Sequence, residues 1–130
     1  MGHLGMTPQS VHQFGGHKLQ GKGEKTSTQL IKSAKMLEQT GVFSIVLEMV
    51  PSALGKKVTD VLNIPTIGIG AGVGTSGQIL VWHDLLGMNP GFKPKFLRTY
   101  LNAHQKILEA LNSYSNDVKD KNFPSEQESY

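Results

Sequence analysis

Glu48 is the carboxylate whose position best suits chemistry. It closes a short, mostly apolar run, Phe43 to Leu47, with Gly41 upstream and Pro51 downstream. Such a run, bounded by glycine and proline, is typical of a strand buried on both faces. In α/β enzymes the loops at the carboxyl ends of such strands converge on a crevice, so Glu48 is a candidate catalytic residue. The alternative is that it caps the next helix or pairs with a lysine.

The imidazoles are the other titratable groups with catalytic potential, and they are His3, His12, His17, His83 and His104. The spacing of His12 and His17 matches no usual zinc pattern, and His104 lies off the leucine face of its helix, so all three are predicted at the surface. His83 could orient Asp84, or both could satisfy loop backbone. His3 lies between glycines, where the backbone can fold close to a ligand.

A glycine-rich segment, residues 72–77, matches G-x-G-x-x-G and follows a predicted strand. A dinucleotide site also needs a helix to begin there, so that its amides meet the pyrophosphate. The residues that follow, 78–82, are rich in β-formers instead. We therefore interpret the segment as a tight loop whose glycines permit a close backbone approach to a ligand or a positive φ.

Composition and charge exclude several classes of function. The chain has 130 residues, 38% of them hydrophobic and 18% charged, which fits one globular domain. Its net charge of +3 comes from scattered lysines, so no nucleic-acid partner is expected. With no cysteine, thiolate catalysis is excluded. Neither a bilayer-length apolar run nor a signal peptide is recognisable, and we expect a cytoplasmic protein without a membrane partner.

Hydrophobic periodicity predicts alternating helices and strands after a glycine-rich opening at residues 1–25 that shows no regular period. Thr26 and Ser27 are candidate N-caps of the first helix, and Gly41 is its expected stop. The predicted elements are a helix at 26–40, a strand ending at Glu48, a helix from Ser52 to Asn63, strands at 64–70 and 78–82, a helix at 94–114 and a polar tail at 115–130. This alternation predicts parallel βαβ units. Three strands make only part of a (β/α)₈ barrel, which takes about 250 residues.

Ordered blocks across nearly the whole chain resemble the ketopantoate hydroxymethyltransferase family. The blocks are Gly2-His3-Leu4-Gly5-Met6-Thr7-Pro8-Gln9-Ser10-Val11, Phe14-Gly15-Gly16, Lys18-Leu19-Gln20-Gly21, residues 46–51, residues 64–72, residues 77–87, Pro94-Lys95-Phe96 and Phe123-Pro124-Ser125-Glu126.

This resemblance implies a fold, a reaction and two site residues. The implied fold is α/β, the C-terminal half of a (β/α)₈ TIM barrel with parallel strands. The implied reaction transfers a hydroxymethyl group from 5,10-methylenetetrahydrofolate to 3-methyl-2-oxobutanoate, giving 2-dehydropantoate for pantothenate biosynthesis. The family uses Mg²⁺ to chelate the 2-oxo acid, which acidifies the adjacent C–H. Glu48 matches the family's proton acceptor, and His3 matches a histidine at the substrate pocket.

Two departures from the family pattern lead to further expectations. Met49 stands where the family commonly has a smaller residue, which would narrow the pocket. Met1 aligns near the end of the fifth barrel strand, so the aspartates that bind magnesium and the lysine that binds the substrate carboxylate are not in this chain. We expect residues 1–114 to form a partial barrel, residues 115–130 a tail, and the chain alone to be nearly inactive. The alternative is a non-catalytic half-barrel that complements or binds a full-length subunit. Homo-oligomers are expected for the full-length family.

Overall fold

The computed structural model describes residues 1–130, and the chain divides into two compact units, Met1–Leu80 and Val81–Tyr130. The first unit contains a 3₁₀ turn at Pro8–Ser10. Its strands and helices are β1 (Gly2–Gly5), α1 (Glu24–Gln39), β2 (Ile45–Glu48), α2 (Ser52–Asp60), β3 (Thr66–Ile69) and β4 (Gly77–Gln78). The second unit contains α3 (Trp82–Leu85), α4 (Ala103–Lys119) and a 3₁₀ turn at Glu126–Glu128.

The four strands form one parallel sheet in the order β1-β2-β3-β4. The predicted parallel α/β fold is therefore confirmed, and the sheet has half the strands of an eight-stranded barrel. At the carboxyl ends Gly5 pairs with Glu48, and Glu48 pairs with Ile69.

The two faces of the sheet differ in burial because side chains alternate along each strand. On one face Ile45 and Leu47 are fully buried against the helices. The core cluster on this face contains Leu30, Ala34, Ile45, Leu47, Val50, Leu54, Val58 and Ala71. The opposite face carries His3, Val46, Glu48, Ile67 and Ile69, all half-buried. Glu48 therefore lies on the face that the helices of this chain leave uncovered.

Helix α1 begins two residues before its predicted start. Its N-cap is Gly23, and the predicted cap Thr26 lies three residues further on, where its Oγ1 accepts a hydrogen bond from the Gly23 amide at 3.1 Å. Thr26 thus gives the free N-cap amide a hydrogen-bond acceptor from within the first turn of the helix. Leu30 and Ala34 form the buried stripe that packs the helix on the sheet.

The opening residues and the second helix also differ from the prediction. Residues Gly2–Gly5 form strand β1. The resemblance implied a strand here, but hydrophobic periodicity did not predict it, because two of the four residues are glycine. Helix α2 ends at Asp60, three residues before the predicted end at Asn63. Within the helix Leu54 and Val58 are buried, and Leu62 packs against the core from beyond the helix end.

The predicted strand at residues 78–82 is wrong beyond Gln78. Strand β4 contains only Gly77 and Gln78, although the Ile79 amide still donates to the Gly68 carbonyl at 3.0 Å. No strand of this chain pairs with the outer edge of β4, so the apolar residues that follow have no ladder to join. Ile79, Val81 and Trp82 are each more than half exposed, and Trp82 begins α3.

The last helix is displaced from its predicted range of 94–114. It begins at Ala103, whose amide donates to the Leu86 carbonyl at 2.9 Å, and residues 94–102 form turns instead. Its predicted apolar face, which includes Ile107 and Leu111, is exposed within this unit. The helix continues to Lys119, so residues 115–119 of the predicted tail are helical, and the division into 1–114 and 115–130 stays a prediction.

The end of the chain carries a further ordered turn. The Ser125 amide donates to Glu128 Oε2 at 2.8 Å, and this backbone hydrogen bond lowers the pKa of the Glu128 carboxyl. Across the chain, every helix is too short or too polar to cross a membrane.

Candidate active site

The two residues proposed for chemistry, His3 and Glu48, are in direct contact. His3 Nε2 lies 3.0 Å from Glu48 Oε2. The Glu48 side chain is 15% exposed and that of His3 is 33% exposed. The Glu48 side chain therefore points toward neither bulk water nor a lysine. It is mostly shielded from solvent, whereas the His3 ring remains accessible to solvent.

The register of the parallel sheet explains the contact. His3 pairs with Val46, two residues before Glu48 on the neighbouring strand. Residues two apart on a strand share a face, and a diagonal neighbour is within reach of a ring. Sequence reasoning assigned each residue separately and missed the contact because 45 positions separate them. The contact could have been predicted by aligning the two strands in parallel, with Gly5 at the end of one opposite Glu48 at the end of the other.

The backbone at the end of β2 is held from three sides. The Glu48 carbonyl accepts a hydrogen bond from the Met6 amide at 2.8 Å, and the Met49 amide donates to the Ile69 carbonyl at 2.9 Å. The Met49 carbonyl accepts from the Gln20 amide at 2.9 Å. Met49 has a φ of +48°, an uncommon conformation for a residue with a side chain. These bonds fix the direction in which the Glu48 side chain leaves the sheet.

Gly5 makes this arrangement sterically possible. Its φ is +96°, and a Cβ atom added there would collide with the Glu48 carbonyl oxygen. The last residue of β1 must therefore be glycine for β1 and the end of β2 to approach this closely.

The glycine loop at residues 72–77 packs against a helix. Added Cβ atoms at Gly72 and Gly74 would collide with Ser52 and Lys56 of α2. Residues 79–81 form no helix, and α3 has only four residues. The nucleotide-binding alternative thus lacks the helix that it requires, and the glycines serve the close approach of this loop to α2.

The remaining histidines form no hydrogen bond with Glu48. His12, His17 and His104 are exposed, as predicted. The His83 ring lies beside that of Trp82, with centroids 4.0 Å apart and planes tilted by 40°. The backbone carbonyls of His83 and Asp84 accept hydrogen bonds from the Met88 and Gly87 amides, so the turn that they begin is held by its backbone.

The acidic residues do not assemble into a cation site. Nowhere in the chain do three or more His, Asp or Glu side chains come close enough together to hold a metal ion. Glu48 has a single imidazole beside it, and Mg²⁺ prefers several oxygen ligands. The residues present thus do not fit the magnesium site that the family implies.

Comparison with known proteins decides the family. The family model for ketopantoate hydroxymethyltransferase matches residues 1–126. The chain belongs to the ketopantoate hydroxymethyltransferase family. Relatives named 3-methyl-2-oxobutanoate hydroxymethyltransferase match all 130 residues: one from Bdellovibrio bacteriovorus is 57% identical, one from Thermosipho melanesiensis 55% and one from Legionella pneumophila (strain Corby) 52%.

The chain spans about half the length of the curated relatives it matches, 49% of the Bdellovibrio protein and 50% of the Legionella protein. The four parallel strands are the share of an eight-stranded barrel that such a length would hold. The family consists of transferases, and the resemblance drawn from the sequence blocks is confirmed.

Proposed function

We propose that this chain supplies the proton-abstracting half of a 3-methyl-2-oxobutanoate hydroxymethyltransferase. The whole enzyme would transfer a hydroxymethyl group from 5,10-methylenetetrahydrofolate to 3-methyl-2-oxobutanoate, giving 2-dehydropantoate in pantothenate biosynthesis. The observation that carries the proposal is Glu48, a sheltered carboxylate at the carboxyl end of a parallel strand, in a chain that belongs to the ketopantoate hydroxymethyltransferase family.

In this proposal Glu48 acts as the general base. It removes the proton from C3 of the 2-oxo acid, and the bonding electrons move into the enolate. The nucleophilic C3 would then bond to the one-carbon unit as the bonds from that unit to the folate nitrogens break. Water would supply the hydroxyl oxygen, and tetrahydrofolate would leave. Val46 and Ile69 lie on the same face of the sheet as Glu48, and both are half-buried. Their apolar surfaces suit the branched aliphatic end of the substrate.

His3 stays a candidate for substrate binding, as the resemblance implied. It lies on the same face as Glu48 and is one-third exposed, so a substrate beside Glu48 would be near its ring. Its Nε2 already contacts Glu48, which leaves Nδ1 for any other polar partner.

The magnesium site is proposed to lie on polypeptide outside this chain. The chain offers no cluster of ligands for a cation, so the ion that acidifies the C3 proton for Glu48 would be held by the other half of the barrel. This chain would contribute the general base Glu48, the contacts that orient it, and the apolar side chains of Val46 and Ile69 beside it. The chain alone would then be nearly inactive.

The test uses a joined barrel, in which residues 1–130 are fused to the half of the Bdellovibrio bacteriovorus relative that this chain does not cover. Formation of 2-dehydropantoate is measured for the chain alone and for the joined barrel. We expect turnover only in the joined barrel, and a loss of about 100-fold or more in kcat for Glu48→Gln, the range for removal of a general base. Glu109→Gln, an exposed substitution on α4, is the matched control and should leave the rate unchanged.

Two results would contradict this proposal. Robust turnover by the chain alone would show that the base does not depend on the other half. A joined barrel that is active with Gln at position 48 would show that Glu48 is not the base.

The second candidate is a non-catalytic half-barrel that completes another subunit. The outer edges of β1 and β4 are unpaired in this chain, and parallel strands with free edges invite a partner. Under this alternative the chain would bind the other half and Glu48→Gln would change neither assembly nor activity. The same variant pair separates the two candidates.

A further inference from the structure

We propose that His3 is a positioning residue that acts through Glu48. Its Nε2–H donates a hydrogen bond to Glu48 Oε2, which leaves Oε1 as the oxygen that takes the substrate proton. This inference rests on the proposed function, since it assigns a role to His3 in the step that Glu48 performs.

The chemistry of the pair fixes which atom is the donor. An ionised carboxylate has no hydrogen to give, so the imidazole nitrogen 3.0 Å from Oε2 must carry the proton. Since one nitrogen of a neutral imidazole is a donor and the other an acceptor, Nδ1 is then unprotonated. The contact thus requires a proton on Nε2 of His3.

The pair has the geometry of an orienting contact. His3 Nε2 is the sole hydrogen-bond partner of the Glu48 side chain within this chain. A glutamate with three rotatable bonds would otherwise sample several rotamers at the strand end. One bond to Oε2, added to the three backbone bonds around Glu48 and Met49, restricts the carboxylate to a single direction. Small errors in the position of a reacting group lower rates strongly, so this restriction matters for the reaction.

A neutral imidazole is suited to this task because its hydrogen bond survives the reaction. When Oε1 takes the proton, Oε2 becomes the carbonyl oxygen of a carboxylic acid and still accepts from Nε2–H. His3 therefore neither loses nor gains a proton while Glu48 cycles. Glu48 can therefore release the proton again without any change in the position or protonation of His3.

Two other roles for His3 make different predictions. If His3 binds the substrate directly, its loss should raise KM for 3-methyl-2-oxobutanoate. If His3 only stabilises the packing of β1 against β2, its replacement should lower the urea midpoint of unfolding and leave kcat unchanged. A positioning role predicts a loss in kcat with little change in KM.

The kinetic test compares His3→Phe with His3→Gln in the joined barrel. Phe keeps the ring and removes the donor, whereas Gln places an amide N–H at a similar reach. We expect His3→Phe to lower kcat by about 10- to 100-fold with KM for the 2-oxo acid nearly unchanged. His3→Gln should restore a substantial part of that loss. A raised KM with kcat preserved, or equal losses in both variants, would overturn the proposal.

A second measurement tests the hydrogen bond without catalysis. In ¹⁵N-labelled chain of residues 1–130, or in the joined barrel labelled likewise, the His3 Nε2–H should give a resolved, slowly exchanging proton signal. That signal should disappear in Glu48→Ala, and the Glu48 side-chain carboxyl ¹³C signal should move in His3→Phe. An Nε2 without a proton, or no effect of Glu48→Ala, would overturn the proposal. An inactive joined barrel that still shows this signal would count against the proposed function alone.

Discussion

At the residue scale, the peptide after Glu48 turns on a methionine in a left-handed conformation. Met49 has a φ of +48°, which costs a residue with a Cβ atom about 1–2 kcal/mol. Glycine avoids that cost but loses about 0.4–1 kcal/mol through the greater freedom of the unfolded chain. We therefore expect Met49→Gly to be about 0.5–1 kcal/mol more stable to urea unfolding than Met49→Ala.

Alanine is the matched control in this comparison because it removes the long side chain and keeps the strained backbone. A Met49→Gly chain less stable than the Met49→Ala chain by about 0.4–1 kcal/mol, the entropic loss alone, would show that the turn at Met49 stores no strain.

Gly5 gives a second prediction at this scale, with Gly16 as its control. Both have positive φ, but only at Gly5 would an added Cβ atom meet a backbone oxygen, that of Glu48, since nothing lies within 4 Å at Gly16. Overpacking of this kind costs about 1–3 kcal/mol. We expect Gly5→Ala to lower the free energy of unfolding by about that much more than Gly16→Ala does, as measured by urea denaturation. Equal losses would mean that the two strand ends can move apart freely.

Single residues were predictable from the sequence where local chemistry decides their place. Glu48 was located correctly because an apolar run between Gly41 and Pro51 fixes both the strand and its carboxyl end. Its contact with His3 was not predictable in the same way, because it depends on the register of β1 against β2. The left-handed turn at Met49 was equally hidden, since methionine carries no preference for that conformation.

At the scale of elements, a buried threonine joins β3, α2 and the glycine loop. Thr66 is fully buried, and its Oγ1 lies 2.7 Å from Thr59 Oγ1 and 3.3 Å from the Ser76 amide that donates to it. The Thr66 amide in turn donates to Ser76 Oγ at 3.1 Å. This pairing holds the loop that leads into β4 against the start of β3.

Thr66→Val should lower the free energy of unfolding by about 1–3 kcal/mol, because it removes the fully buried hydroxyl that bonds both Thr59 Oγ1 and the Ser76 amide. Thr28→Val makes the same chemical change at an exposed position of α1 and should alter stability by less than about 0.5 kcal/mol. Urea denaturation of both variants checks the prediction. A Thr66→Val chain as stable as the control would show that the loop is not held by this contact.

Apart from the glycine-rich strand β1, the elements that pack on the shared core were predictable from their apolar patterns. Strands β2 and β3 and helices α1 and α2 form one core, and their apolar patterns indicated them to within a few residues. The apolar residues 79–82 predicted a strand that does not form, because a strand needs a neighbour and none is available beyond β4. Helix α4 was misplaced for a different reason: its leucine face is exposed, and its start is held by a contact that the local sequence does not show, the hydrogen bond from the Ala103 amide to the Leu86 carbonyl.

At the scale of the whole molecule, the first unit presents unpaired strand edges and an uncovered apolar face. The outer edges of β1 and β4 carry free backbone donors and acceptors, and Val46, Ile67 and Ile69 are only half-buried. Free edges and apolar patches of this kind promote association. We expect the chain alone to elute ahead of a monomer in size-exclusion chromatography and to bind a hydrophobic dye.

The joined barrel is the control for this prediction, because its second half would pair both edges and cover the face. Its dye binding per mole should be lower than that of the chain alone. A chain that stays a monomer at high concentration and binds no dye would contradict this expectation.

The most direct measurement of the role assigned to Glu48 is exchange of the C3 proton of 3-methyl-2-oxobutanoate with solvent deuterium. The exchange is followed by NMR in the joined barrel without folate, so that only proton removal is observed. If Glu48 is the base, Glu48→Gln slows the exchange by about 100-fold or more, and Glu109→Gln leaves it unchanged. Exchange in Glu48→Gln at the rate of the unaltered joined barrel would contradict the assignment.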